Sequence, residues 1–99
     1  MHVRTICLQN DIGHLQAGKN SVYVMKTDVQ KFVNCCRKYG ILIFGIEGFI
    51  IEGEKIIPID SLNADFSSEP DALKSCDDAD RFLKNDACAQ VTHFDFVIE

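Results

Sequence analysis

The chain has 99 residues, of which 46% are hydrophobic and 25% are charged, and such proportions are typical of one folded globular domain rather than of a disordered segment. Its formal net charge is -5, and lysine and arginine form no cluster, so direct nucleic-acid binding is disfavoured because phosphate contacts require clustered cations. No apolar run could span a membrane and no hydrophobic signal segment opens the chain, so we expect a cytoplasmic protein.

Five cysteines are present, namely Cys7, Cys35, Cys36, Cys76 and Cys88. An odd number of cysteines argues against a secreted disulfide framework, and a zinc site lacks support because no Cys-x-x-Cys pair occurs. We therefore expect reduced thiols that pack as small apolar side chains, with neither a metal nor another cofactor.

The first quarter of the chain gives weak structural signals. The alternation from Val3 to Leu8 predicts a short strand. Residues Gln9 to Ser21 have the composition of a loop, with room for one helical turn around Ile12 to Leu15. The β-forming run from Ser21 to Met25 predicts a strand.

An amphipathic helix is predicted next. Thr27 and Gln30 are spaced as a capping-box pair at its start, and Gly40 can take the left-handed conformation that ends a helix. A single apolar stripe follows the helical period between these ends: Val29, Phe32, Val33 and Cys36.

The middle of the chain predicts strands. Ile41 to Ile46 is apolar on both faces, which favours a central strand. A hairpin follows with its turn at Gly53, and Pro58 places its second strand at a sheet edge because proline donates no ladder hydrogen bond. The stretch from Asp60 to Ser67 is expected to cross the surface irregularly.

A second helix should begin near Ser68, with its acidic run solvated and with Asp77–Arg81 and Asp80–Lys84 pairs one turn apart. The final strand, Val91 to Glu99, is expected to turn an apolar face to the helices and a polar face outward. Taken together, these elements predict one α+β domain over residues 1–99. Its antiparallel or mixed sheet would carry two helices, packed mainly on one face.

No convincing catalytic set is present. The glycine patterns of phosphate and dinucleotide loops are absent, and no serine stands in a nucleophile elbow. A cysteine–histidine pair could still meet in space, but the helix cysteines fall on apolar stripes, where buried thiols are inert. We therefore expect no enzyme and keep a thiol enzyme as an alternative hypothesis.

Acidic residues gather around the predicted hairpin and the loop that follows it. They are Glu47, Glu52, Glu54, Asp60 and Asp65, with Phe66 among them as a possible apolar anchor. Such a surface could bind a partner, with charges that steer association and an aromatic that prolongs contact. The same carboxylates could instead protect exposed edges from pairing with other chains, and Phe66 could plug the core. The residues alone leave both interpretations open.

A family resemblance covers the chain from Ser21 onward. The motifs that carry it are Lys38-Tyr39-Gly40, Gly45-Ile46-Glu47, Ile59-Asp60-Ser61, Asp65-Phe66 and the terminal strand from His93 to Ile98. In this order they resemble small bacterial immunity proteins, such as that of the tRNA-cleaving E-type colicin and those of polymorphic and contact-dependent toxin systems.

The resemblance implies a cytoplasmic inhibitor that binds the basic C-terminal nuclease domain of a cognate toxin, an RNA-cleaving one, and blocks its active site. It also implies which residues contact the toxin, with carboxylates that imitate phosphates: Glu47, Glu52, Glu54, Asp60, Asp65 and Phe66. A protein-interaction or regulatory module that uses the same acidic surface is the alternative. Neither hypothesis involves nucleic acid or membrane as a direct partner.

Overall fold

The computed structural model describes residues 1–99. Five strands form one sheet in the order β1-β2-β5-β3-β4, and every neighbouring pair is antiparallel. The elements in chain order are α1 (Val3–Gln9), β1 (His14–Ala17), β2 (Ser21–Met25), α2 (Val29–Tyr39), β3 (Ile43–Glu52), β4 (Lys55–Asp65), α3 (Ala72–Leu83) and β5 (His93–Ile98). The predicted α+β class is confirmed, with three helices instead of two and a sheet that is antiparallel throughout.

One face of the strands builds the core. Val24, Ile46, Phe94 and Phe96 alternate inward from β2, β3 and β5 and are almost fully buried. They pack in one cluster with residues of the helices, including Phe32 of α2, whose ring centroid lies 4.5 Å from that of Phe96. Burial of these apolar side chains is the main stabilising contribution to the domain. No helix combines the length and the apolarity that crossing a bilayer requires.

Helix α2 ends as predicted but begins differently. Gly40 takes the left-handed conformation with φ 67°, and its backbone N–H donates to Arg37. At the other end, Thr27 lies inside a short 3₁₀ turn over Lys26–Asp28, so the predicted capping box does not form. The Asp28 carboxylate instead accepts from the backbone N–H of Gly13 at 2.6 Å and so holds the loop between α1 and β1.

The predicted hairpin is confirmed, and both its strands are longer than expected. The strand predicted over Ile41 to Ile46 does not end before the hairpin but continues into it as β3. Gly53 has φ 59° at the first position of the two-residue turn, where glycine is favoured. The stretch from Asp60 to Ser67 was expected to be irregular, but β4 continues to Asp65. Its pairing shifts between Ile59 and Asn63, so residues 60–62 bulge out of the ladder. Leu62 in this bulge is 3% exposed and fills the core, which holds the strand in place.

Strand β4 forms one edge of the sheet, as Pro58 predicts. Glu52 and Lys55 flank a two-residue turn and therefore form a hydrogen-bonded pair of the antiparallel ladder. Non-hydrogen-bonded and hydrogen-bonded pairs then alternate along the two strands. The pair of Phe49 and Pro58 therefore falls at a non-hydrogen-bonded position. The ring nitrogen of Pro58 faces away from β3, and no N–H is offered to solvent at that point of the edge.

The strand predicted over Ser21–Met25 is confirmed, but the predictions for the chain before it were wrong. Val3–Gln9 forms a helix where a strand was expected, and His14–Ala17 forms a strand where a loop or helical turn was expected. Ile6 and Cys7 are successive and both buried, which suits a helix packed on two sides but not an alternating strand. Helix α3 also begins later than Ser68, because Asp71 caps it by accepting from Leu73 at 2.9 Å.

Candidate functional site

Every second residue of the strands points to the face opposite the core. The register joins one complete row across all five strands: Leu15, Tyr23, Asp95, Glu47 and Asn63. A neighbouring row holds Val97, Gly45 and Asp65, and the row on the other side holds Met25, His93, Phe49 and Pro58. We call the surface formed by these twelve positions the carboxylate face, since it carries three carboxylates and neither lysine nor arginine.

Two of these carboxylates are direct neighbours. Glu47 and Asp95 are cross-strand partners, which places their Cβ atoms about 5 Å apart. Both side chains are half-buried, and neither takes part in an ion pair. Burial, and secondarily the charge of Glu47, raises the pKa of Asp95 to about 6. The chain thus holds a pair of like charges that none of its own cations neutralises.

An aromatic pair lies beside Asp95. The rings of Tyr23 and Phe49 meet edge to face with centroids 4.9 Å apart, although their strands flank β5 on opposite sides. The two rings therefore lie over β5, and each residue is only 8% exposed. Tyr23 is the cross-strand partner of Asp95, so its ring helps to bury that carboxylate. Burial also lowers the pKa of His93, the partner of Phe49.

A shallow depression of about 320 Å³ opens next to the carboxylate pair, and Glu47, Asp65 and Val97 line it. Gly45 forms part of its floor, where a Cβ atom would stand 3.0 Å from the backbone oxygen of Ala64. Asp65 is exposed at the rim, and hydrogen bonds from Ser67, one of them 2.8 Å long, lower its pKa. The depression consequently presents two carboxylates beside an apolar wall.

The structure brings together only part of the site predicted from sequence. Glu47 and Asp65 share the depression. Glu52 and Glu54 lie at the hairpin tip, and Asp60 lies in the bulge of the edge strand; all three are exposed. They extend the acidic surface along β4 without joining the depression.

Phe66 lies against the core. It is half-buried, packs against the core cluster, and its backbone N–H donates to Phe44 at 2.7 Å. This placement matches the second of the two roles that the sequence left open. Asp95 and Tyr23 were not predicted as site residues. The alternation of the last strand indicated the outward position of Asp95, but only the register shows that it faces Glu47.

The acidic run of α3 is neutralised within the chain, though not by the predicted pairs. The guanidinium of Arg37 in α2 binds Asp77 at 3.0 Å and Asp80 at 2.6 Å, and Arg81 pairs with Asp78. Helices α2 and α3 pack on each other, so Arg37 reaches across to both carboxylates. The Asp77–Arg81 and Asp80–Lys84 pairs expected one turn apart are absent.

All five cysteines are free thiols, and all except Cys35 are buried. Burial raises the pKa of Cys36 to about 12 and that of Cys7 to about 11. Nucleophilic attack needs the thiolate, and such pKa values keep these thiols protonated near neutral pH. No group of three or more histidine, cysteine, aspartate or glutamate side chains is arranged to hold a metal ion.

A larger cleft of about 810 Å³ separates the start of α1 from the end of β5. Its lining mixes charges of both signs, with Arg4 and Lys19 on one hand and Asp95 and Glu99 on the other. Such a lining favours no single class of charged partner.

Comparisons with family models, with curated proteins and with solved structures found no match for this chain. The function must therefore be inferred from the residues and geometry of the chain itself.

Proposed function

We propose that this protein is an immunity-type inhibitor, which binds a cognate toxin domain in the cytoplasm and neutralises it without catalysis. The partner would be the basic C-terminal domain of the toxin, an RNA-cleaving nuclease, and the acidic surface would cover its active site. One observation supports the proposal most directly. All three ion pairs of the chain involve carboxylates of α3, and the carboxylates of β3, β4 and β5 take part in no ion pair.

Burial disfavours the charged form of the unpaired Asp95 carboxylate, and a cation supplied by a partner would offset that cost. A nuclease supplies cations readily, because its cleft must hold phosphates with lysine and arginine. Attraction between surfaces of opposite charge raises association rates to as much as about 10⁸–10⁹ M⁻¹s⁻¹ at low salt. Rapid capture suits an inhibitor whose target is harmful while free.

The packing of the helices fits this role. We propose that α2 and α3 cover only the core face of the sheet, so that the opposite face stays open for a partner. Helix α2 contacts β2, and α3 contacts β3. Ser75 of α3 also accepts from the backbone N–H of Ile43 at 3.1 Å, which fixes that helix at the start of β3. The buried thiols with raised pKa values speak against the thiol-enzyme alternative.

The proposal predicts that a neighbouring gene encodes a toxin with a basic C-terminal domain, and the test is co-expression with that domain. We expect the wild-type protein to restore growth and to form a complex that survives size-exclusion chromatography. Matched strains that express the toxin domain alone, or with an unrelated acidic protein of similar size, should not grow. Binding without growth rescue would favour the regulatory-module alternative, and the absence of both binding and rescue would refute the proposal.

A further inference from the structure

We infer that the carboxylate face is the docking surface, and that its occupant is a basic segment of the partner protein with an arginine or lysine seated beside Glu47, Asp65 and Asp95. The inference rests on the proposed function and narrows it from a general acidic surface to one face of the sheet. It also assigns a binding role to Asp95.

Charge complementarity carries the first step. Glu47 and Asp95 face each other across β5 and β3, Asp65 stands on the next row, and none of the twelve positions holds a lysine or arginine. Arg4 and Lys19 line the larger cleft that Asp95 also borders, but neither forms an ion pair with it. Carboxylates on two side chains whose Cβ atoms lie about 5 Å apart repel each other while the face is empty. A guanidinium placed between them replaces this repulsion with attraction on both sides. Its planar fork of five donors suits two carboxylates better than a single point charge does.

Apolar side chains around the carboxylates carry the second step. Leu15, Met25 and Val97 are 39%, 40% and 52% exposed on the same face. They can cover the hydrocarbon stem of an arginine or lysine, and the packed rings of Tyr23 and Phe49 provide further apolar surface on the same face. Water excluded by these contacts strengthens the ion pairs at their centre.

Charge also argues against the other possible locations and occupants. A second copy docked face to face would set its own carboxylates against the same carboxylates, with no cation of this face to offset them. Helix α3 offers little free negative charge, since Arg37 and Arg81 already pair with its aspartates. The hairpin tip bears Glu52 and Glu54 on a narrow turn, where exposed charges act mainly at long range.

The experiment compares two variants, each of which removes three negative charges. The face variant is Glu47→Gln/Asp65→Asn/Asp95→Asn. The tip variant is Glu52→Gln/Glu54→Gln/Asp60→Asn, which combines the two glutamates of the hairpin tip with the aspartate of the β4 bulge. Association with the basic toxin domain is measured by stopped-flow or surface plasmon resonance at low salt. We expect the face variant to lose at least about tenfold in affinity and the tip variant less than about threefold, because contact charges outweigh distant ones.

A second measurement does not depend on the toxin. A hexa-arginine peptide is titrated into ¹⁵N-labelled protein, and shift changes should concentrate at Tyr23, Glu47, Asp95 and Val97. Sedimentation equilibrium of the free protein should give a monomer. Wild-type protein that fails to bind the toxin domain but shows these shifts would refute the proposed function and leave the docking face intact. A larger loss in the tip variant, shifts centred on α3, or a dimer that the face variant dissociates would each overturn the inference.

Discussion

Replacing Asp95 with asparagine should stabilise the protein, although it removes a charge from the candidate site. In the folded chain the pKa of Asp95 is about 6, whereas an unfolded aspartate has a pKa of about 3.9. The folded state therefore binds its proton more tightly than the unfolded state does. The contribution of the protonated Asp95 carboxyl to the free energy of unfolding is fully present below about pH 4, and it is lost as the pH rises through about 6.

The size of the effect follows from the pKa difference. A shift of about two units corresponds to about 2.7 kcal/mol at full strength. Asp95 keeps contact with solvent, which screens its charge, so we expect about 1 to 1.5 kcal/mol. In a domain of this length that gain raises the melting temperature by roughly 5 °C. Asparagine has nearly the same shape, so the change isolates the charge.

The effect is measured by urea unfolding of the wild type and Asp95→Asn at about pH 7.5 and at about pH 4. The m value, which is the slope of the unfolding free energy against urea concentration, should be the same for both proteins. The gain should appear at the higher pH and nearly vanish at the lower. Asp60→Asn, an exposed change on the edge strand, serves as the control and should stay within about 0.5 kcal/mol at both values. An equal effect at both pH values, or a loss of stability at the higher one, would refute the reasoning. Glu47→Gln should give part of the same gain, because it removes the like charge that faces Asp95.

Three further predictions concern the scaffold. Ser75→Ala should lower the free energy of unfolding by about 1–3 kcal/mol in urea titrations, because the buried N–H of Ile43 loses its acceptor; an unchanged midpoint would mean that another acceptor replaces it. Gly40→Ala should cost about 1 kcal/mol, since alanine strains a left-handed helix end with φ 67°, and a neutral result would place that end elsewhere. In native protein, Ellman's reagent should label Cys35 first and the four buried thiols only as fast as the protein unfolds; rapid labelling of all five would contradict their burial.

Local signals in the sequence predicted the elements that they determine directly. Gly40 ends α2 and Gly53 turns the hairpin because each position needs a positive φ that glycine tolerates. The N-terminal helix was missed because seven residues give too few turns for a helical period to stand out. The continuation of β4 was missed because Leu62 enters the core only after a three-residue bulge, which depends on tertiary packing.

The candidate site was half predictable for a similar reason. The sequence grouped Glu47 and Asp65 with the carboxylates around the hairpin, and both line the depression. Glu47 was expected to follow a strand but lies within β3. Asp95 stands nearly fifty residues from Glu47, so only the pairing of β5 with β3 makes them neighbours. The Asp77–Arg81 pair was predicted from spacing along one helix, but Arg37 of α2 reached Asp77 instead.

The missing backbone N–H of Pro58 affects how another protein can bind at the β4 edge. With no N–H on the outer side at that point, the edge of β4 is a poor template for a strand added from another protein. A partner at this edge would be held by side chains and not by a ladder of main-chain hydrogen bonds, which any extended segment could join. A few substitutions on an open sheet face can therefore redirect binding from one partner to another while the backbone beneath stays the same.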